Sequence, residues 1–164
     1  MEKVIYLDHG ATTKVDNRAL AKMLPYFSIN YGNPSSAYFL GRRNKRAIEE
    51  AREMIASCIG ANSKEIYFTS CGTESDNLAL KGIAYANREK GNHIITTKIE
   101  HPAVLNTCKT LEKEGFSVTY LNVDENGLIS LEELEKSINN KTILISIMFA
   151  NNEIGTIQPI YEIG

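Results

Sequence analysis

The sequence has no tryptophan, and only four prolines and three cysteines in 164 residues. Cys58, Cys71 and Cys108 are odd in number and widely spaced. They form no CxxC pair and no zinc spacing, so neither a disulfide framework nor a metal site is expected. An excess of one charge is missing too. Lys and Arg number 18 against 20 Asp and Glu, for a net charge of −2. That offers no basic surface for nucleic acid and no acidic tail. Long apolar runs are also absent. The longest, "TILISIMFA" at 142–150, falls well short of the ~20 residues that span a bilayer. The opening "MEKVIYLDHG" lacks the basic-then-apolar layout of a signal peptide. These absences point to a cytoplasmic protein of a reducing compartment, binding neither membrane nor nucleic acid.

What is there is an ordinary mixture, 43% hydrophobic and 23% charged, of single-domain length. "VIYLD" reads as a short β-like start and "HGATT" as a turn. "DNRALAKMLPYF" predicts a helix with Asp16 as N-cap. "SINYGNPSSAY" is loop, because Gly32, Asn33, Pro34 and two serines sustain neither helix nor strand. Ala47/Ile48, Ala51, Met54/Ile55 and Cys58/Ile59 recur at helical spacing, which predicts a helix over 40–59 closed by Gly60. From residue 65 the pattern changes. The strands "EIYFTS", "HIITT", "SVTYLNV" and "TILISIMFA" alternate with three helices, "ESDNLALKGIAYANREK", "HPAVLNTCKTLEKEG" and "SLEELEKSI". Pro102 opens the second helix, and Ser130 and Glu133 stand at capping-box spacing in the third. Four strands separated by helices predict an α/β fold with a parallel sheet.

In such sheets ligands bind beyond the carboxyl ends of the strands. Four segments stand there: "SCGTESDN" from Ser70, "KIEHP" with Glu100 and His101, "NVDENG", and "NNEIG" from Asn151. In the first, Gly72 and Thr73 open a helix whose free N–H groups suit a phosphate. The plain alternative is a Thr73–Asp76 capping box with no ligand. Cys71, at the helix start, is either an acidified thiol or a small turn residue. His101 is either a group that stacks on an aromatic ligand or a surface cap. Asn151, Asn152 and Glu153 either line a cleft or hold a turn. "GNPSS" reads as an ordinary connector, and His9 and His93 receive no role.

Taken in order, "YLDHGATT", "YGNPSS", "EIYFTSCGTESDNLALKG", "HIITTKIEHPAVLNTC", "EGFSVTYLNVDENGLI" and "ILISIMFANNEIGTIQP" resemble the blocks of the NifS/IscS-type cysteine desulfurases. These are class V aminotransferases, pyridoxal-phosphate (PLP) enzymes of fold type I. The resemblance runs from residue 4 to the last residue and matches the N-terminal portion of the family. It implies a partial PLP-transferase large domain at 61–164, preceded by a helical segment at 1–60 with part of the small domain and the linking helix. It implies removal of sulfur from L-cysteine, leaving L-alanine and an enzyme-bound persulfide that a sulfur-acceptor or scaffold protein takes up for iron–sulfur clusters or thio-cofactors. By resemblance, Gly72 and Thr73 hold the PLP phosphate. His101 stacks on the cofactor ring and moves protons. Asn152 lies beside the cofactor and the substrate carboxylate, and Ala11 and Thr12 lie near the substrate.

The departures matter as much. Cys71 stands where the family often has glycine, and Tyr38 where it often has histidine. "HGATT" replaces a more usual "NAATT". The family's cofactor-bearing lysine, the aspartate at the pyridine nitrogen, the persulfide cysteine and the carboxylate-binding arginine match nothing here. The expectation is therefore a fragment that is inactive alone and binds PLP weakly or not at all. By resemblance, "EIYFTS" loses its strand neighbour while the other three strands still pair, and the exposed edge favours a homodimer or swapped oligomer. Rival readings are a selenocysteine lyase, another class V aminotransferase, or a non-catalytic module that binds a ligand or partner.

Overall fold

A computed structural model describes residues 4–164. The chain divides into two compact units, one reaching to Phe68 and the other Thr69–Gly164.

The first unit is helical. The expected β-like start forms no strand over residues 4–8, and all five are exposed; residues 1–3 lie outside the described part. The "HGATT" turn is present, closed by Ala11 N–H and Thr12 N–H on the Asp8 carbonyl, at 3.2 and 3.4 Å. Asp16 caps α1 (Asn17–Met23) by accepting the Arg18 N–H at 2.7 Å. The helix expected to run on through Phe27 is divided. Pro25 has no N–H to extend α1 and instead opens α2 (Pro25–Ser28) at the position where a missing donor costs nothing. Helix α3 (Phe39–Ile59) matches its periodicity and ends at Gly60, left-handed at φ 69°. "GNPSS" is seated on its first turn. A Cβ at Gly41 would collide with the carbonyls of Ser36 and Asn33, and Asn44 donates to the Gly32 carbonyl at 2.8 Å. The expected strand "EIYFTS" is not formed. Ile66 is extended, at φ −96° and ψ 122°, but it pairs with no strand among the described residues. The Arg52 guanidinium takes the Ile66 carbonyl and lies 4.8 Å over the Phe68 ring.

The second unit holds the sheet. Helix α4 (Gly72–Ala86) precedes β1 (His93–Thr97), α5 (Pro102–Lys113), β2 (Ser117–Leu121), α6 (Leu131–Ser137), β3 (Thr142–Ile145) and the short α7 (Ile160–Ile163). The order is β2-β1-β3 and every pairing is parallel, with Ile94 opposite Val118 on one side and Leu144 on the other. The three strands expected to pair do so, and the fourth is missing from the sheet. β3 stops at Ile145, short of the expected Ala150. Strand side chains alternate between faces. Ile94 therefore joins Leu80, Ala84, Val104, Cys108, Leu111 and Phe116, whereas Ile95 joins Leu121, Ile129 and Leu134 on the opposite face.

His93, given no role from the sequence, pins the three strands together. Its Nε2 lies 2.9 Å from Thr119 Oγ1 in β2, and its Nδ1 lies 2.8 Å from Thr142 Oγ1 in β3. Nδ1 also receives the Asn139 amide N–H at 3.0 Å, so the proton of the neutral ring sits on Nε2. Burial pushes this imidazole below the usual histidine range.

Candidate functional site

Helix α4 starts differently from the capping box that Thr73 and Asp76 suggested. Cys71 is its N-cap residue, and Thr73 is already inside the first turn. The capping carboxylate is Glu74, which accepts from the N–H and the hydroxyl of Ser70, both at 2.6 Å. These bonds hold the Glu74 carboxyl below its ordinary range. A Cβ on Gly72 would meet nothing within 4 Å, so the turn has open space beside it. The N–H of Glu74, the Ser70 hydroxyl and the N–H of Thr73 draw the exposed Cys71 thiol below its ordinary pKa.

β1 delivers its exit turn from the centre of the sheet. All five of its residues are buried, as is Glu100. Glu100 Oε1 accepts the Thr97 hydroxyl at 3.0 Å and the Met148 N–H at 2.8 Å. Burial raises the pKa of this carboxyl, and the Asp76 carboxylate of α4 adds to the rise, whereas the two hydrogen bonds oppose it. His101 follows, exposed at the head of α5. Its Nδ1 accepts the Ala103 N–H at 3.1 Å. The cap reading of His101 is thus realised, and it fixes the neutral ring's proton on Nε2.

The exit of β3 completes the arrangement. Asn151 is buried and holds the turn: its Oδ1 accepts the N–H groups of Glu153 and Ile154, at 2.8 and 3.0 Å. Its Nδ2 crosses to the Ile99 carbonyl at 3.1 Å. Asn152 is exposed, with one amide N–H on Glu153 Oε1 at 2.9 Å. Of the two open readings for "NNEIG", Asn151 therefore takes the turn, and Asn152 is exposed beside it. Glu100 and Asn151 tie the exits of β1 and β3 to each other. Helix α4 joins through Asn77, whose Oδ1 accepts the Thr107 hydroxyl of α5 at 2.8 Å. Gly72, Thr73, His101 and Asn152 thus all stand in the second unit, on turns at the carboxyl ends of strands or at helix starts. Ala11 and Thr12 stand in the first unit, exposed, in a turn where the Tyr6 hydroxyl lies 2.7 Å from the Asp8 carbonyl and 3.0 Å from that of Thr12. Glu100 and Asn151 were noted only as polar residues after the strands, and their part in joining the two turns was not read from the sequence. The available signal was a carboxylate and an amide directly after apolar strands.

A parallel α/β sheet with polar turns gathered at its carboxyl end defines the class of protein, an α/β protein with its ligand-binding place beyond the strand ends. The family model for class-V aminotransferases matches residues 5–164. The chain belongs to that family. It is 57% identical to a cysteine desulfurase IscS of Clostridium botulinum (strain Kyoto / Type A2) over 164 residues, which is 100% of this chain and 41% of the relative. It is 60% identical to the cysteine desulfurase IscS of Methanosarcina thermophila over 162 residues, 99% of this chain and 40% of the relative. Among solved structures, a NifS-like protein superposes with a TM-score of 0.93 at 48% identity, over 97% of this chain and 44% of that one. SspA, solved in complex with cysteine, superposes at 0.91 with 46% identity, over 96% of this chain and 46% of its own. The chain thus spans about two-fifths of the length of the curated relatives it matches. No helix among the described residues is long and apolar enough to cross a membrane.

Proposed function

We propose that this chain is the N-terminal part of a PLP-dependent cysteine desulfurase, carrying the phosphate-facing and ring-facing side of the site. Residues 1–60 are the small-domain part and linking helix, and 61–164 belong to the PLP-binding domain. The observation that carries the reading is the hydrogen-bonded union of the β1 and β3 exits beside the open α4 start. The residues present fit the cofactor. Gly72 leaves room for a phosphate, and the exposed Thr73 supplies a hydroxyl and a helix-terminal N–H. The Thr73 and Glu74 amides, in the first turn of α4, would hold such a phosphate together with the Thr73 hydroxyl. Bound PLP supplies an electron sink for bonds around the substrate's α-carbon.

His101 offers a flat ring whose Nε2 gives or takes a proton while Nδ1 stays fixed by Ala103. Asn152 keeps a second amide N–H for an anionic oxygen, of the cofactor or of the substrate carboxylate. Ala11 and Thr12 border the substrate. The substrate is L-cysteine, the products are L-alanine and an enzyme-bound persulfide, and a sulfur-acceptor protein takes the sulfur on. The compartment is the cytoplasm. This chain alone is inactive. β3 is half-buried throughout and its outer edge pairs with no described strand, which supports association as a homodimer or swapped oligomer. Light scattering on the purified chain tests that association, and a monodisperse monomer overturns it.

The activity is tested in two parts. The chain alone is mixed with PLP, reduced with borohydride and mapped for labelled lysine, with sulfide release from L-cysteine followed in parallel. Scattered or no labelling without sulfide is expected. One specific label with sulfide release overturns the inactive-alone reading. A chimera joining this chain to the remaining portion of the C. botulinum relative is expected to release sulfide. In that chimera Asn152→Ala lowers turnover with little change in melting temperature, whereas His101→Ala lowers turnover and also removes the α5 cap, at about 0.5–2 kcal/mol of stability. Thr73→Ala weakens PLP retention by about 1–3 kcal/mol, the worth of one hydrogen bond to an anion. A chimera that folds, binds PLP and leaves L-cysteine untouched excludes the desulfurase reading.

A further inference from the structure

We propose that Glu100 and Asn151 are positioning residues, a buried clasp that sets the spacing between His101 and Asn152. The inference rests on the desulfurase reading, because it gives that spacing a purpose.

The clasp is an unusual use of buried polar groups. Glu100 is 6% exposed and Asn151 is 7% exposed. Among the described residues no lysine, arginine or histidine pairs with Glu100. A buried carboxyl without a cation is costly, and it is retained where its oxygens do what an apolar side chain does not. Here Oε1 takes the N–H of Met148, which lies beyond the last residue of β3. Asn151 adds a second bond by donating to the Ile99 carbonyl. Two bonds therefore cross between the turns, both donated from the β3 exit and accepted on the β1 exit.

The sheet does not need these bonds to hold its strands. The last ladder bond between β1 and β3, Ser146 N–H to the Ile95 carbonyl at 2.8 Å, lies before both. The clasp begins where the ladder stops and governs the turns alone. His101 is the residue after Glu100, and Asn152 the residue after Asn151. Adjacent Cα atoms are ~3.8 Å apart across a planar peptide, so fixing one residue closely confines the next. Local bonds then orient each side chain: Ala103 N–H holds the His101 ring, and Glu153 holds the Asn152 amide. Orientation is local, and spacing comes from the clasp.

Glutamine retains an acceptor oxygen at the same place, whereas alanine does not. Met148 amide exchange and the NMR line widths of residues 99–102 and 148–154 are to be measured in the chain, in Glu100→Ala and in Glu100→Gln. In Glu100→Ala the Met148 amide should exchange at least tenfold faster. The signals of those two turns should broaden, while Ile94 and Ile95 stay protected. Glu100→Gln should restore both. If Glu100→Ala does not fold, Thr97→Val, which removes only the second donor to Oε1, should broaden the same two turns to a smaller degree. Unchanged exchange and line widths in the folded variant, or failure of glutamine to rescue, overturn the proposal.

A PLP titration of the same variants keeps the two readings apart. If wild-type chain binds PLP, Glu100→Ala should weaken binding at least fivefold and Glu100→Gln less than twofold. If wild-type chain binds none, as expected of the chain alone, the cofactor reading is decided by the chimera and the clasp by the amide data.

Discussion

The two units make opposite use of apolar residues. Helix α3 is 21 residues long, yet only Gly41, Asn44 and Ala56 are buried on it. Met54 and Ile59 are 68% and 67% exposed. In the second unit β1 alone has five buried residues, with an apolar cluster on each face. Local signals hold the first unit's elements: an N-cap at Asp16, a proline start at Pro25, a left-handed glycine at Gly60. The second unit is held by contacts between residues far apart in sequence. Helices close their hydrogen bonds internally and tolerate a missing partner, whereas a strand's polar backbone needs a neighbour. That difference accounts for "EIYFTS", which is extended and yet not a strand.

The sharpest way to break the comparison is to cut into the second unit's core. Leu111→Ala removes a fully buried side chain from the cluster around Ile94. It should cost about 2–5 kcal/mol, read from the urea midpoint. A loss below about 1 kcal/mol would mean that the sheet unit is as loosely packed as α3.

His93 comes next. His93→Ala strands the hydroxyls of Thr119 and Thr142 and should cost about 1–3 kcal/mol. Its titration adds a pH signature. The folded imidazole lies below its ordinary value, so the unfolded chain binds the proton first as pH falls. Stability from this residue is complete above about pH 6.5 and declines as the solution is acidified toward the folded pKa. Glu100 acts in the opposite sense. Its raised folded pKa makes its contribution complete below the unfolded value and lost as pH rises through the folded one. Asp16, Glu65 and Glu74, all lowered, add their losses only at more acidic pH. Melts between pH 5 and 8 should show the acid decline in wild-type chain and not in His93→Gln. An equal decline in both would assign it elsewhere.

What the sequence discloses follows the same division. The cap at Asp16, the glycine end of α3, Pro102 at the head of α5 and Ser130 before α6 are all local, and all stand where expected. The parallel pairing of "HIITT", "SVTYL" and "TILI" was legible because element alternation encodes it. Partner choice across long separations was not. Nothing in "HIITT" tells that its first residue bonds to Thr119 and Thr142, nor does Glu100 disclose the Met148 N–H it will meet. At the α4 start, the i, i+3 spacing of Thr73 and Asp76 competed with the i, i+4 reach of Glu74 to Ser70, and the latter won. The candidate site was readable as positions after strands. Its buried support was not, because that support is made only of such long-range bonds.

In the first unit the effects should be smaller and of a different kind. Gly60→Ala meets no atom within 4 Å, so only backbone conformation is at stake. A left-handed φ costs an L-residue about 1–2 kcal/mol, and the α3 end should fray by about that amount, read from amide exchange near Ile59. Ile59→Ala tests the other half of the contrast. Its side chain is already two-thirds exposed, and truncating it should change the chain's unfolding by no more than about 0.5 kcal/mol. In the chimera that supplies the rest of the protein, the same substitution is the informative one. If the apolar stripe of α3 is covered there, the cost of Ile59→Ala rises toward that of a buried position. If it stays near zero, the stripe is a solvent face. The contrast between the units would then belong to the family's architecture and not to this chain alone.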